Sequence, residues 1–160
     1  SAPNDAALRE ALKEHGRRKL EIETKIFEDR LRFYPTDLRL KFQLAVRYFL
    51  ARRIDEAIPL FQQARSDGRV RAESRLYLGR CFCHKAFYAQ AVEILRQGVK
   101  ELEGRSDGVA FDLNYWLARA LEADEATDEA MRVYGHVIQL DYNFRDARER
   151  LEKLVAEREK

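Results

Sequence analysis

Apolar residues recur along most of this 160-residue chain at steps of three and four, the spacing that places side chains on one face of an α-helix. Polar and charged residues fill the positions between them, as expected for helices that bury one face and expose the other. The pattern predicts eight helices, over residues 5–33, 37–51, 55–66, 71–85, 88–102, 109–123, 127–140 and 144–158. We therefore expect an all-α protein.

Three of the predicted helix pairs carry matching residues. The first set is Leu44, Ala45, Tyr48, Ala57, Phe61 and Ala64, and the second is Leu78, Gly79, Phe82, Ala91, Leu95 and Gly98, each 34 residues later. The third set, Leu117, Ala118, Leu121, Ala130, Tyr134 and Val137, keeps the internal spacing but follows after 39 residues. The five extra residues fall around 103–108, where two glycines and small polar residues predict a surface loop.

A leucine, a small residue, an aromatic residue, an alanine and a second aromatic residue at a period of 34 resemble the signature of the tetratricopeptide repeat (TPR) family. The resemblance implies a right-handed superhelical stack of antiparallel helix pairs. Small residues such as Gly79 and Ala57 are expected where two helices cross closely. The chain departs from the family pattern because Arg69, Glu103 and Tyr142 stand where a closing proline is usual, and because the turns within the repeats lack glycine.

We expect a single domain over residues 1–160. It comprises a leading helix or half repeat at 5–36, repeats at 37–70, 71–104 and 109–143, and a capping helix at 144–160, as stacked repeats require. The half repeat is inferred from Phe27 and Pro35, which lie at expected repeat positions, and the cap from Ala147, Leu151, Leu154 and Val155 on one side of its helix. Asp37, Asp55 and Thr127 are predicted helix starts, and Pro59 is placed in a first turn.

In the TPR family the first helix of each repeat lines the concave face, so the resemblance implies such a face on residues 37–51, 71–85 and 109–123. The candidate partner-binding residues on these helices are Arg39, Gln43, Val46, Tyr77, Arg80, His84, Asp112, Tyr115, Trp116 and Arg119. Read across the stack, Gln43, Tyr77 and Trp116 are expected in one layer. Val46, Arg80 and Arg119 are expected in the next.

Aromatic and arginine side chains dominate protein-binding hot spots, and arginine binds carboxylates in bidentate fashion. The sequence therefore predicts a scaffold or adaptor that binds a peptide or helix of a partner protein containing acidic and apolar residues. The alternative is that the rings, Phe42 among them, pack against neighbouring helices while the arginines are solvated or paired with Glu73 and Asp112. The family's carboxylate clamp of lysines and asparagines is absent, because Phe42, Val46 and Tyr77 occupy the comparable places.

Charge and composition narrow the partner classes. The net charge is +2 with both signs interspersed, so we expect no nucleic-acid partner, although aromatic residues beside arginines also suit single-stranded RNA. No apolar run is long enough for membrane insertion, and Ser1–Asn4 do not read as a signal peptide. Cys81 and Cys83 point in different directions on a helix, which disfavours a disulfide and favours a reducing, cytoplasmic setting.

Cys81, Cys83 and His84 form the one cluster that resembles a metal site in sequence. Structural zinc usually takes two ligand pairs, and the sequence has no second pair of cysteine or histidine ligands. Neither a glycine-rich phosphate loop nor a nucleophile elbow is present. We therefore expect no metal, no cofactor and no catalytic site.

The leading helix offers a second mode of association. Leu8, Leu12, His15, Lys19, Ile22 and Ile26 alternate by four and three, as in a coiled-coil seam, and this predicts a possible homodimer. In the competing interpretation Leu20, Ile26, Phe27 and Leu31 dock onto the first repeat while the polar start of the helix projects into water.

Overall fold

The computed structural model describes residues 2–160, with side chains from Asn4 onward; Ser1, the first residue of the expected domain, lies outside the described residues. Residues 2–160 form eight helices: α1 (Ala2–Phe33), α2 (Leu38–Leu50), α3 (Ile54–Ala64), α4 (Arg71–His84), α5 (Tyr88–Glu101), α6 (Gly108–Ala123), α7 (Thr127–Leu140) and α8 (Ala147–Arg158). Every predicted helix is present, and the all-α class is confirmed.

The chain divides into two compact units, one ending at Ala64 and the other covering Arg65–Lys160. In the first unit α1 packs against α2, and α2 against α3. Phe42 and Phe61 meet edge to face in its core, with ring centroids 5.9 Å apart. Helix α1 docks through its second half, where Thr24 is buried and Leu20, Phe27 and Leu31 are half-buried. Ile26, expected on this docking side, is instead exposed, because it lies on the opposite face of α1 from Thr24.

In the second unit each helix from α4 to α8 packs against the next, and α4 also packs against α6. Tyr134, Leu95, Leu113, Leu121 and Val137 are fully buried in its core. Helix α8 covers the end of this core through the buried Ala147 and Leu154. Val155, predicted on the same side, is exposed.

The residues shared by the three repeats form the interiors of the two units. All of them are buried except Tyr48 and Phe82, which are half-buried. Gly79 shows why a small residue is needed: a Cβ at this position would lie 2.4 Å from Cγ of Leu95. A Cβ on Gly98 would lie 2.7 Å from Cδ2 of Leu113. The interpretation of Gly79 as a site of close helix approach is confirmed.

The turns inside the repeats share one backbone conformation without glycine. Arg52, Ala86 and Glu125 adopt the left-handed conformation, with φ of 63°, 59° and 62°. In each turn the amide of the next residue donates to a carbonyl five residues earlier, as Arg53 N does to Tyr48 O at 2.8 Å. This is the Schellman arrangement that ends many helices, and a non-glycine residue adopts it at a cost in free energy.

The helix starts differ in part from the predictions. Asp37 caps α2 by accepting a hydrogen bond from the Leu40 amide at 3.0 Å. Asp107, which the sequence analysis missed, caps α6 in the same way through the Ala110 amide. Helix α3 begins at Ile54, one residue before the predicted Asp55, and α7 begins at Thr127 as predicted, although its cap position is Ala126, whose side chain makes no capping hydrogen bond. Pro59 lies in the second turn of α3, not the first.

Helix α8 begins at Ala147, whereas the sequence predicted a start at residue 144. A turn precedes it, in which the Ala147 amide donates to the Phe144 carbonyl and Arg145 is left-handed with φ of 47°. Within residues 2–160, none of the helices has the length and hydrophobicity of a membrane-spanning segment.

Candidate functional site: an arginine and aromatic ladder on helices α4 and α6

Two arginines and two aromatic residues lie together on α4 and α6. The guanidinium carbon of Arg80 lies 5.5 Å from the ring centre of Tyr77 and 4.6 Å from that of Trp116. The guanidinium carbon of Arg119 lies 5.3 Å from the Trp116 ring centre. Trp116 is therefore within cation–π distance of arginines from both helices. We call Tyr77, Arg80, Trp116 and Arg119 the ladder.

The sequence produces this arrangement through simple spacing. Tyr77 and Arg80 are three residues apart on α4, and Trp116 and Arg119 are three residues apart on α6, so each pair shares a helix face. The packing of α4 against α6 brings the two pairs together. All four side chains are half-buried, which leaves part of each surface accessible to a partner.

Tyr115 is buried next to the ladder and contacts two of its residues. Its side chain is only 3% exposed, so the structure places this predicted contact residue in the core, out of a partner's reach. Its hydroxyl accepts a hydrogen bond from Nη1 of Arg119 at 3.0 Å and donates one to Oδ1 of Asp146 at 2.5 Å. Its ring also meets that of Trp116 edge to face at 5.6 Å. Tyr115 thus fixes the position of both α6 members of the ladder.

The hydrogen-bonded network continues from Asp146 into α7 and α8. Nε of Arg150 donates to Oδ2 of Asp146 at 2.9 Å, and its Nη1 donates to the Glu122 carboxylate at 3.1 Å. The Tyr134 hydroxyl donates to the same carboxylate at 2.6 Å. Because these groups are hydrogen-bonded to one another, the side chains that support Arg119 are held in a defined geometry.

Burial shifts the pKa values of ionisable groups at the ladder. Burial, reinforced by the like charge of Arg145, lowers the pKa of Arg80, yet an arginine remains a cation at neutral pH. Burial raises the pKa of the nearby Cys83 thiol to about 11, so Cys83 is a neutral thiol and no thiolate nucleophile. Burial likewise raises the pKa of Cys81 to about 12.

Asp112 and His84 lie at the edges of this face. Asp112 accepts a hydrogen bond from Nη2 of Arg145 at 2.8 Å. The guanidinium carbon of Arg145 also lies 5.4 Å from the Tyr115 ring centre. Sequence reasoning missed Arg145, because it lies in an irregular turn and has no helical periodicity that would mark it. His84, the last residue of α4, is exposed.

The remaining predicted residues, Arg39, Gln43 and Val46, lie on α2 in the first unit. Arg39 is exposed, while Gln43 and Val46 are half-buried. Oε1 of Gln43 accepts a hydrogen bond from Nη1 of Arg47 at 2.6 Å. The guanidinium carbon of Arg47 lies 4.6 Å from the Phe27 ring centre on α1. The arginine–aromatic contact of this helix therefore joins α2 to α1.

No group of three or more histidine, cysteine or acidic side chains within the described residues is placed to hold a metal ion. Cys81 and Cys83 are both free thiols. Because both thiols are shielded and have raised pKa values, we interpret Cys81 and Cys83 as packing residues of α4.

No protein-family model matches this sequence, and no curated protein matches it. Several solved structures are similar. MamA from Desulfovibrio magneticus RS-1 shares 14% identity at a TM-score of 0.77, with 96% of this chain and 85% of that chain covered. The first TPR domain of Spaghetti (RPAP3), bound to an HSP90 peptide, shares 16% identity at a TM-score of 0.69, with 77% and 94% covered.

A third similar structure is a putative kinesin light chain from Podosopora anserina with nearly identical TPR-like repeats. It shares 18% identity at a TM-score of 0.68, and the match covers 92% of this chain and 91% of that one. At such identities the likeness concerns the fold. Together with the repeated interior residues and the repeated turns, it shows that this chain has the tetratricopeptide-type fold.

Proposed function

We propose that the chain is a protein-interaction scaffold and that the ladder on α4 and α6 binds an acidic segment of a partner protein. The observation that carries the proposal is that the half-buried Trp116 lies within cation–π distance of two guanidinium groups, those of Arg80 and Arg119. Such a face offers a flat apolar ring for an apolar side chain beside two cations for carboxylates. Tryptophan and arginine are the residues most enriched at binding hot spots.

The geometry favours binding because the arginines are already ordered. Arg119 is held by the Tyr115 hydroxyl, and the guanidinium group of Arg80 lies over two rings. A side chain that is fixed before binding loses less conformational entropy when the partner arrives. Partial burial also strengthens the attraction of each cation for a carboxylate, since the local dielectric constant is lower than that of water.

The indole of Trp116 supplies a further possible contact. Its Nε1 atom is shielded from solvent and has no hydrogen-bond acceptor within the described part of the chain. A shielded donor without an acceptor is destabilising by about 1–3 kcal/mol. A partner carbonyl that displaced the covering side chains would recover this free energy.

A similar structure gives independent support for an acidic peptide as the ligand class. The RPAP3 TPR domain is bound to the peptide SRMEEVD, which carries three acidic residues. The present chain has Phe42, Val46 and Tyr77 where the lysines and asparagines of a carboxylate clamp would be expected. We therefore propose recognition of acidic side chains together with an apolar neighbour.

A peptide selection followed by binding measurements tests this function. A displayed library of random peptides is selected against the intact chain, and enriched peptides are labelled and titrated by fluorescence anisotropy. We expect acidic and apolar peptides with dissociation constants of roughly 1–100 μM, weakened at least tenfold by Trp116→Ala with Arg119→Ala. Replacing the peptide's Glu and Asp with Gln and Asn should have a similar effect.

The chain offers a matched control at a second arginine–aromatic contact. Arg148 lies over Tyr142, at 4.7 Å from the ring centre, and neither residue is a member of the ladder. Tyr142→Ala with Arg148→Ala should bind the selected peptides with unchanged affinity. Circular dichroism checks that both double variants keep their helices. If the ladder variant bound as tightly as the parent chain, the proposed function would be wrong.

A further inference from the structure

The first half of α1 has no packing partner within the structure described. Residues 4–19 are all exposed except Glu14, which is half-buried. Ion pairs within the helix, such as Glu14 with Arg18 at 3.0 Å, connect several of these residues. An isolated helix of this length is marginal in water, and Gly16 weakens it further. A partner that covers this segment would stabilise it.

Four large apolar side chains are exposed along one face of α1. Leu8 is 60% exposed, Leu12 62%, Ile22 62% and Ile26 49%. Together with His15 and Lys19 they alternate by four and three residues, which keeps them on one seam. The seam lies on the side of α1 opposite to Thr24, the residue buried against the rest of the first unit. It is therefore accessible while α1 remains docked on α2.

The order of residues along the seam reads the same in both directions by chemical type. From either end there are two apolar residues, two polar residues and two apolar residues. When two copies of α1 lie antiparallel about residue 17, Leu8 faces Ile26 of the second copy, and Leu12 faces Ile22. The polar residues His15 and Lys19 then face each other. Every apolar seam side chain thus meets an apolar one.

The charges favour this antiparallel register over a parallel one. In a parallel pair Lys19 would face Lys19 of the second copy, which places like charges together. In the antiparallel pair Lys19 faces His15 of the second copy instead, so the two lysines are kept apart. Gly16 lies close to the centre of the pair, and no heavy atom lies within 4 Å of the place its Cβ would occupy, so the helices are free to approach there.

We propose that this seam is a docking surface for a second copy of the same chain, and that the two α1 helices pair antiparallel about residue 17. The occupant is a second copy because the seam is complementary to its own reverse. Apolar residues then meet apolar residues, and polar residues meet polar residues. The central polar pair fixes the register, as a polar residue in a coiled-coil seam commonly does. This proposal shares no residue with the ladder and stands or falls separately from the proposed function.

Sedimentation of the intact chain over a concentration series tests the association. We expect a monomer–dimer equilibrium that Leu12→Glu with Ile22→Glu weakens at least tenfold. Both replaced side chains are exposed, so the variant should fold normally, which circular dichroism checks. Ala6→Glu with Ala7→Glu adds the same charge on exposed positions away from the seam and should leave the dimer unchanged. A parent chain that stays monomeric up to about 1 mM overturns the proposal.

Disulfide cross-linking tests the register. Chains carrying Leu8→Cys are mixed with chains carrying Ile26→Cys and oxidised, with the parent chain as the control for Cys81 and Cys83. The proposal predicts a cross-linked dimer in the mixture and none with either variant alone. Cross-linking of each variant with itself but not in the mixture would overturn the antiparallel register. A dimer that survives Leu12→Glu with Ile22→Glu would place the interface elsewhere and overturn the proposal as well.

Discussion

The first unit and the second unit share an interior pattern but present different outer faces. Phe61 in the first unit occupies the same repeat position as Leu95 and Tyr134 in the second, and all three are fully buried. On the outer side, Arg47 of α2 lies over Phe27 and makes an ion pair of 3.3 Å with Glu23, so it holds α1. Arg80 of α4 and Arg119 of α6 instead lie within cation–π distance of Trp116.

This difference separates what the repeat requires from what it permits. The interior positions must be large or small in a fixed order, because helices pack there at close distance. The outer positions carry no such requirement, so the same interaction between arginine and an aromatic ring joins helices in one unit and forms a candidate binding face in the other. The proposed binding face lies at such positions on α4 and α6.

The largest effect should come from emptying equivalent interior positions in the two units. Phe61→Ala and Tyr134→Ala should each lower the free energy of unfolding by about 3–5 kcal/mol, because each leaves a cavity in a packed core. Tyr134→Ala also removes the hydrogen bond to Glu122. Chemical denaturation gives the totals, and amide hydrogen exchange reports which unit is weakened. A loss below about 1 kcal/mol at either position would contradict the shared interior.

A smaller effect is expected at the close contact between α4 and α5. Gly79→Ala should destabilise the second unit by about 1–3 kcal/mol, because the new Cβ would overlap the Leu95 side chain and force it to move. Gly135→Ala in α7 is the matched control, since no heavy atom lies within 4 Å of its Cβ position. This control should stabilise the chain by up to about 1 kcal/mol through helix propensity. Equal effects of the two variants, measured by urea denaturation, would exclude close packing as the reason for Gly79.

The cap of α2 should contribute about 1 kcal/mol. Asp37→Ala removes the acceptor for the Leu40 amide and leaves that donor to water. Asp37→Asn keeps an acceptor at the same place and should be close to neutral. Thermal unfolding of both variants beside the parent chain measures the difference. If Asp37→Asn cost as much as Asp37→Ala, the hydrogen bond would not be the source of the stability.

The smallest effect should appear in the turns that both units share. Ala86→Gly and Glu125→Gly should each stabilise the chain by roughly 0.5 kcal/mol, because the strain of a left-handed residue is relieved while the unfolded chain gains some entropy. Ala86→Val should act in the opposite direction, since a β-branched residue fits this conformation poorly. The same denaturation measurement resolves the sign. Destabilisation by both glycine variants would show that the Ala86 and Glu125 side chains make contacts that stabilise the chain by more than the relief of backbone strain does.

The helices and repeats were predictable because local spacing determines them. Gly79 and Phe61 are marked by their position in a repeated pattern, and the structure confirms that pattern. The same spacing predicted that Tyr77 and Arg80 share a face of α4 and that Trp116 and Arg119 share a face of α6. These features depend on residues that are close in sequence.

Other features of the site depend on tertiary packing and have no local signal. Tyr115 is adjacent to Trp116 in sequence and was grouped with it, yet burial against α7 and the turn that precedes α8 makes it a core residue that holds Arg119. Arg145 reaches Asp112 from a turn 33 residues away. Only the packing of α8 onto α7, and the turn that precedes α8, bring these groups to the face. The spacing of residues in the sequence gives no signal for this packing or for this turn.

The most direct test of the binding face uses the single tryptophan of the sequence. A ¹⁵N-labelled chain gives one indole N–H signal, which belongs to Trp116, beside its backbone amides. On titration with a selected acidic peptide, we expect this signal and the amides of α4 and α6 to shift together, and the Gln and Asn version of the peptide to leave them in place. Saturable binding with an unmoved indole signal, and with shifts confined to other helices, would contradict the account.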